Sequence, residues 1–167
     1  NTLIGADSGD ALTDGIKNTA VGQNALGADV SGDNSVAIGI NALQAQTGTD
    51  GNVYNTAVGA NAGFSVTTGT FNTLVGGLSG DAITTGGFNV AMGYTSLGAN
   101  QTGSQAVAIG AFALNTQNVA GATNNTAVGH SAGGAVTTGV RNTLIGALAG
   151  DALTDADFNT AIGVSAL

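Results

Sequence analysis

The sequence predicts an all-β fold, a parallel β-solenoid of the β-roll type with two short strands in each coil. Three observations carry that prediction. A phrase of the form Asn18-Thr19-Ala20-Val21-Gly22 returns ten times, closing on Gly5, Gly22, Gly39, Gly59, Gly76, Gly93, Gly110, Gly129, Gly146 and Gly163. The intervals between those glycines are 17, 17, 20, 17, 17, 17, 19, 17 and 17 residues, and self-similarity at a short fixed period marks stacked coils. Gly and β-branched residues recur too closely for a helix, and no 3.6-residue apolar period survives.

Each element of the coil follows from a row of residues aligned on its glycine. Just before the glycine stands a large aliphatic, from Ile4 and Val21 to Met92 and Ile162, and two residues earlier Thr or Val. Side chains alternate along a strand, so these two rows share one face. The row between them, Leu3, Ala20, Ala37, Ala57, Leu74, Ala91, Ala108, Ala127, Leu144 and Ala161, looks the other way. Neither face carries charge, which predicts a strand covered on both sides. We expect the Thr/Val and aliphatic rows to fill the roll and the Ala/Leu row to be the interchain face.

The glycine row predicts a corner that needs a positive φ or a close approach of backbones. Four residues after the glycine the order runs Gly9, Leu26, Leu43, Gly63 and then repeats as Gly80, Leu97, Leu114, Gly133. The two long coils are each the third of four, so the chain reads as one solenoid segment, 1–167, built from four-coil blocks at 1–71, 72–141 and a partial 142–167. A second short strand is expected after the corner, as at Asp10–Thr13, Ser65–Thr67 and Asp81–Thr84, ending in turn residues such as Thr85-Gly86. The chain then returns to an Asn row, Asn1, Asn18, Asn34, Asn55, Asn72, Asn89, Asn125, Asn142 and Asn159, with Gln105 as the one interruption. Stacked amides at a turn can bond from coil to coil, as in cross-β ladders.

Composition narrows the function classes. Of 167 residues 29 are Gly, only 7% are charged, and 43% are hydrophobic, most of them small. That mix is too apolar and too weakly charged for a disordered chain. The formal net charge is −8, with Lys17 and Arg141 the only basic residues, which argues against nucleic-acid or anionic-membrane partners. There is no cysteine for disulfides or thiolate metal sites, and no apolar run approaches the ~18 residues of a membrane span. The sequence opens without Met and stops in mid-coil at Ala166-Leu167, so we expect a piece of a longer protein.

At Asn34-Ser35-Val36-Ala37-Ile38-Gly39, and again at Gln105-Ala106-Val107-Ala108-Ile109-Gly110, the chain resembles the head repeats of trimeric autotransporter adhesins. The Asn-Thr-Ala-Val-Gly variant is also similar to repeats of phage tail fibres. The resemblance covers all ten units, and it implies left-handed parallel β-rolls assembled as a homotrimer, with the Val-Ala-Ile-Gly strand towards the centre. The 17-residue coils and the four-coil block depart from the adhesin heads. Cell surface and virion therefore both stay open.

No catalytic, cofactor or metal site is expected. His130-Ser131 is the only His-Ser pair, with no carboxylate constellation around it. The Asp groups at 7, 10, 14 and at 151, 155, 157 lack the nonapeptide of calcium β-rolls. The Thr row is broken by Val36, Val90 and Val107, which weakens an ice-binding reading. Tyr54, Phe71, Phe88 and Phe158 each precede the Asn row and are expected to stack along a corner, with a carbohydrate platform as the sharper alternative.

The function expected is thus a non-enzymatic extracellular fibre or adhesin segment, a structural spacer and attachment surface. Its partners would be further copies of itself and a host-surface glycan or protein receptor. The loops from Gln44 to Tyr54 and from Asn115 to Asn124 are the candidate receptor contacts. A filament or matrix protein joined end to end is the main alternative.

Overall fold

The computed structural model describes residues 1–48 and 51–167; Thr49 and Asp50, within the first long loop, lie outside them. The chain forms a parallel β-solenoid. In chain order the strands are β1 (Thr2–Ile4), β2 (Thr19–Val21), β3 (Gly32–Asp33), β4 (Val36–Ile38), β5 (Gly51–Asn52), β6 (Thr56–Val58), β7 (Thr73–Val75), β8 (Val90–Met92), β9 (Gly103–Ser104), β10 (Val107–Ile109), β11 (Gly121–Ala122), β12 (Thr126–Val128), β13 (Thr143–Ile145) and β14 (Thr160–Ile162). The ten three-residue strands make one continuous sheet, each paired in parallel with the next and in the register the glycine alignment predicts. At about 4.8 Å per step, nine turns of chain separate β1 from β14 by about 43 Å.

The predicted second strand is a different object. Asp10–Thr13 and its equivalents run as turns and bends, held to the next coil by bonds that converge on one carbonyl, as Thr67 N at 2.9 Å and Gly69 N at 3.2 Å both donate to Thr84 O. Among the described residues, ladder pairing on that side occurs only where a long coil meets the coil before it, as β3 pairs with β5 and β9 with β11.

All ten corner glycines adopt φ between +128 and +139°. A Cβ on Gly22 would also sit 2.6 Å from the carbonyl carbon of Gly39 in the next coil. Both physical demands read from the row are therefore met at one atom. The turn closes with the N–H of the third residue donating to the glycine carbonyl, as in Ala25 to Gly22 at 3.3 Å.

The core corrects the facing of the strand. Ala20, Ala37, Ala57, Leu74, Ala91, Ala108, Ala127 and Leu144 are fully buried within the single chain, and Ala161 nearly so, while Leu3 is left open in the first coil. This row fills the roll and is not an interchain face. The roll is too thin to hold the large aliphatics, and its volume comes instead from residues beyond the corner. Where the position four after the glycine is Leu, that side chain enters the core with φ between +47 and +55°, as for Leu26, Leu43, Leu97 and Leu114. Where it is Gly, the space belongs to an aliphatic three residues later, such as Val66, Ile83 or Val136. A Cβ on Gly63 would stand 2.7 Å from Leu74 Cδ1 and 2.9 Å from Leu43 Cδ2.

Candidate interaction surface

The outward face of the long sheet carries the Thr/Val row and the large aliphatic row. Ile38, Met92, Ile109 and Ile145 are each 36–40% exposed, and the Thr and Val side chains of the inner coils are half-buried. No residue of either row is charged. From residue 51 to 150 the only charged side chains are Asp81 and Arg141. The result is a flat, neutral ribbon two side chains wide running the length of the rod. Soluble monomers rarely expose a continuous apolar strip of this kind without a partner for it.

Two margins border the ribbon. On the side where the chain enters the strand, Tyr54, Phe71 and Phe88 stack with ring centroids 5.5 and 4.8 Å apart and interplanar angles of 27 and 10°. Each has φ of 55–60°, which turns the side chain outward at the corner. Both faces of the Phe71 ring are covered by its neighbours, so a sugar finds ring edges there and no free stacking face. Phe158 stands apart, with the Arg141 guanidinium 5.2 Å from its centroid. On the exit side, Tyr94, Phe112 and His130 meet edge to face at 5.5 and 5.9 Å. His130 is thereby part of an exposed aromatic edge.

The Asn row works as a clamp on the main chain. Asn18 Oδ1 accepts from Ser35 N at 2.8 Å while its Nδ2 donates to Gly32 O at 2.6 Å. Asn55, Asn72, Asn89, Asn125 and Asn142 repeat the pattern, and Asn1 and Asn159 take part at the ends. Asn34 does not belong to the row. Its coil places Ser35, fully buried, at the clamp position, and Asn34 sits one residue earlier at φ 61°, as Gln105 does before Ala106. The row thus breaks at Ser35 and Ala106. A second, outer ladder links Asn24, Asn41 and Asn61 at 3.2 and 3.0 Å.

Buried polar side chains were also missed. Asp29, Gln46, Asn100 and Gln117 lie inside the Leu-type coils, seven residues after their glycines, without exposure. Asp29 accepts from Gln46 Nε2 at 2.6 Å and from Gly32 N at 3.0 Å. Gln46 Oε1 accepts from Asn55 Nδ2 at 3.0 Å, and Gln117 Oε1 from Asn125 Nδ2 at 2.7 Å. The signal was in the rows: a Leu four after the glycine is always followed three later by Asp, Asn or Gln. Around these groups no pocket opens in the described surface, and no group of three or more metal-ligating side chains gathers among the described residues. No family model, curated protein or solved structure matches the chain.

Proposed function

We propose that the chain is a non-enzymatic segment of an extracellular fibre, on a bacterial surface or a phage tail, built from three left-handed β-rolls packed side by side. The observation that carries this reading is the neutral ribbon of Thr, Val and Ile along the whole sheet. Packing three ribbons together removes from water the one extended apolar surface the single roll leaves open, at about 25 cal/mol for each Å² of apolar surface covered. Such a rod is a rigid spacer, and its margins and long loops are the surfaces left for attachment. The resemblance of Asn34–Gly39 and Gln105–Gly110 to adhesin and tail-fibre repeats supports the same reading.

End-to-end filament formation differs from it in one measurable quantity. Small-angle X-ray scattering on the purified chain is expected to give a particle about 43 Å long with the mass of several chains. A length that grows with mass would replace the bundle by the filament.

A further inference from the structure

The residue just before the clamp position forms a row along the entry margin, from Lys17 to Phe158, one member in each coil. Every member has φ between +51 and +62°, a region that favours Gly and Asn. None is Gly, and most are long or aromatic. A row of large side chains held in that conformation points to a use for them. Its composition is selective as well. The chain's only lysine, Lys17, and its only arginine, Arg141, both stand in this row. Between them lie only aromatic rings and amides, and none of the ten Asp.

The aromatic stack ends at Phe88. Its ring lies 4.8 Å from that of Phe71 at an angle of 10°, which is one coil step, so the rings stand flat across the rod axis. The second face of Phe88, a residue 58% exposed, looks along the row towards Gln105. Gln105 and Asn124 follow, both exposed, and Asn124 Nδ2 reaches only Ala122 O, at 3.4 Å. Arg141 is next, three coil steps or about 14 Å beyond Phe88. Its guanidinium rests 5.2 Å from the Phe158 centroid, which fixes its place at the end of the run. Asp157, the acid beside Phe158, is turned to the main chain and accepts from Val140 N at 2.7 Å. The order is thus a ring face, two amides and a cation. The other end of the stack runs from Tyr54 through Asn34 to Lys17, but there Asn34 Nδ2 is engaged by Asn52 Oδ1 at 2.5 Å.

We infer that Phe88, Gln105, Asn124 and Arg141 bind the end of a surface oligosaccharide that carries one carboxylate. The inference rests on the attachment role given above to the margins, and it names the ligand and the place. The apolar face of one sugar ring stacks on Phe88. Its hydroxyls meet the amides of Gln105 and Asn124, which both donate and accept. The carboxylate of a terminal acidic sugar closes on the planar fork of Arg141. The net charge of −8 decides against a densely charged sugar polymer, which the field of the chain repels. A single carboxylate meets one guanidinium at short range, along a stretch from residue 51 to 150 whose only acid is Asp81.

The test titrates the assembled protein with sialyllactose, lactose and heparin, followed by ligand-observed NMR. Sialyllactose is expected to bind about tenfold tighter than lactose, and heparin not to bind. Arg141→Gln should bring sialyllactose down to the level of lactose, and Phe88→Ala should weaken both sugars. Phe64→Ala, an exposed ring outside the row, should leave both unchanged. Equal affinity for the two sugars, affinity that survives Arg141→Gln, or binding of heparin in place of sialyllactose overturns the inference. A protein with the mass of several chains that binds none of the three overturns it while the fibre reading stands. A single chain that binds sialyllactose through Arg141 keeps the site and overturns the side-by-side bundle.

Discussion

Gln46 Nε2 donates to Asp29 Oδ2 at 2.6 Å inside a core that admits neither side chain to solvent. One block later the corresponding residues are Asn100 and Gln117. There Asn100 closes on Gly103, at 2.9 and 3.1 Å, and does not depend on the glutamine. Gln46→Leu therefore strands a carboxylate oxygen in a dry interior, whereas Gln117→Leu removes only neutral bonds, one accepted from Asn125 at 2.7 Å and a long one donated to Thr123 at 3.5 Å. The expected losses are on the order of 3 kcal/mol and about 1 kcal/mol. Urea unfolding of the two variants checks this, and equal losses would contradict it.

The corner row makes a sharper demand. Gly22→Ala places a Cβ at φ +129° and 2.6 Å from the main chain of Gly39. Strain and overpacking together should cost about 2–4 kcal/mol. Gly163 has the same φ but only Ala166 Cβ, at 3.8 Å, beside it. Gly163→Ala should therefore be the mildest of the ten, and a thermal melt of each variant ranks them.

Much of this architecture was readable before the structure. The glycine intervals set the register of every pair in the ten-stranded sheet, and the Asn row, apart from Asn34, located the clamp. The facing of the strand was misread because a three-residue strand apolar on both sides has no polar side to orient it. The resolving signal was a correlation between rows. Leu3, Leu74 and Leu144 occur only where the later position is Gly9, Gly80 or Gly150, which means those side chains share one volume. Asn34 was misplaced because Asn34-Ser35 looks like the Asn-Thr of other coils, and counting back from Gly39 places Ser35 in the clamp. The second strand was overread because its Thr residues suit strands. Their hydroxyls instead bond to the next coil, as Thr137 Oγ1 does to Thr154 O at 3.1 Å.

Ser79 offers a gain in stability. Its hydroxyl is buried without a hydrogen-bond partner, and in most other coils that row holds Ala. Ser79→Ala removes an unpaired polar group and should stabilise the fold by about 1–2 kcal/mol. Ser96→Ala removes a bonded hydroxyl, since Ser96 Oγ donates to Gly93 O at 3.1 Å, and should not stabilise. A Tm that rises for Ser96→Ala as much as for Ser79→Ala would refute the distinction.

Asp81 sets a pH dependence. Burial raises its pKa above the ordinary 3.8, against a lowering by the main-chain N–H groups of Asp81 and Ala82. The folded chain therefore holds the proton more tightly than the unfolded chain. Stability falls as pH rises from 3.8 through the raised value, and the penalty is complete above it. Asp81→Asn should raise Tm at neutral pH, with the difference from the parent vanishing below pH 3.8. A difference that persists unchanged at low pH would point to packing instead.

The outward ribbon is the surface proposed to join one chain to another. Light scattering at micromolar concentration on the parent chain and on Ile109→Lys, a charge set in the middle of that ribbon, tests it most directly. The parent is expected at about three times 15.9 kDa and the variant as a folded single chain. A parent that is a single chain, or a variant that keeps the parent's mass, would contradict it.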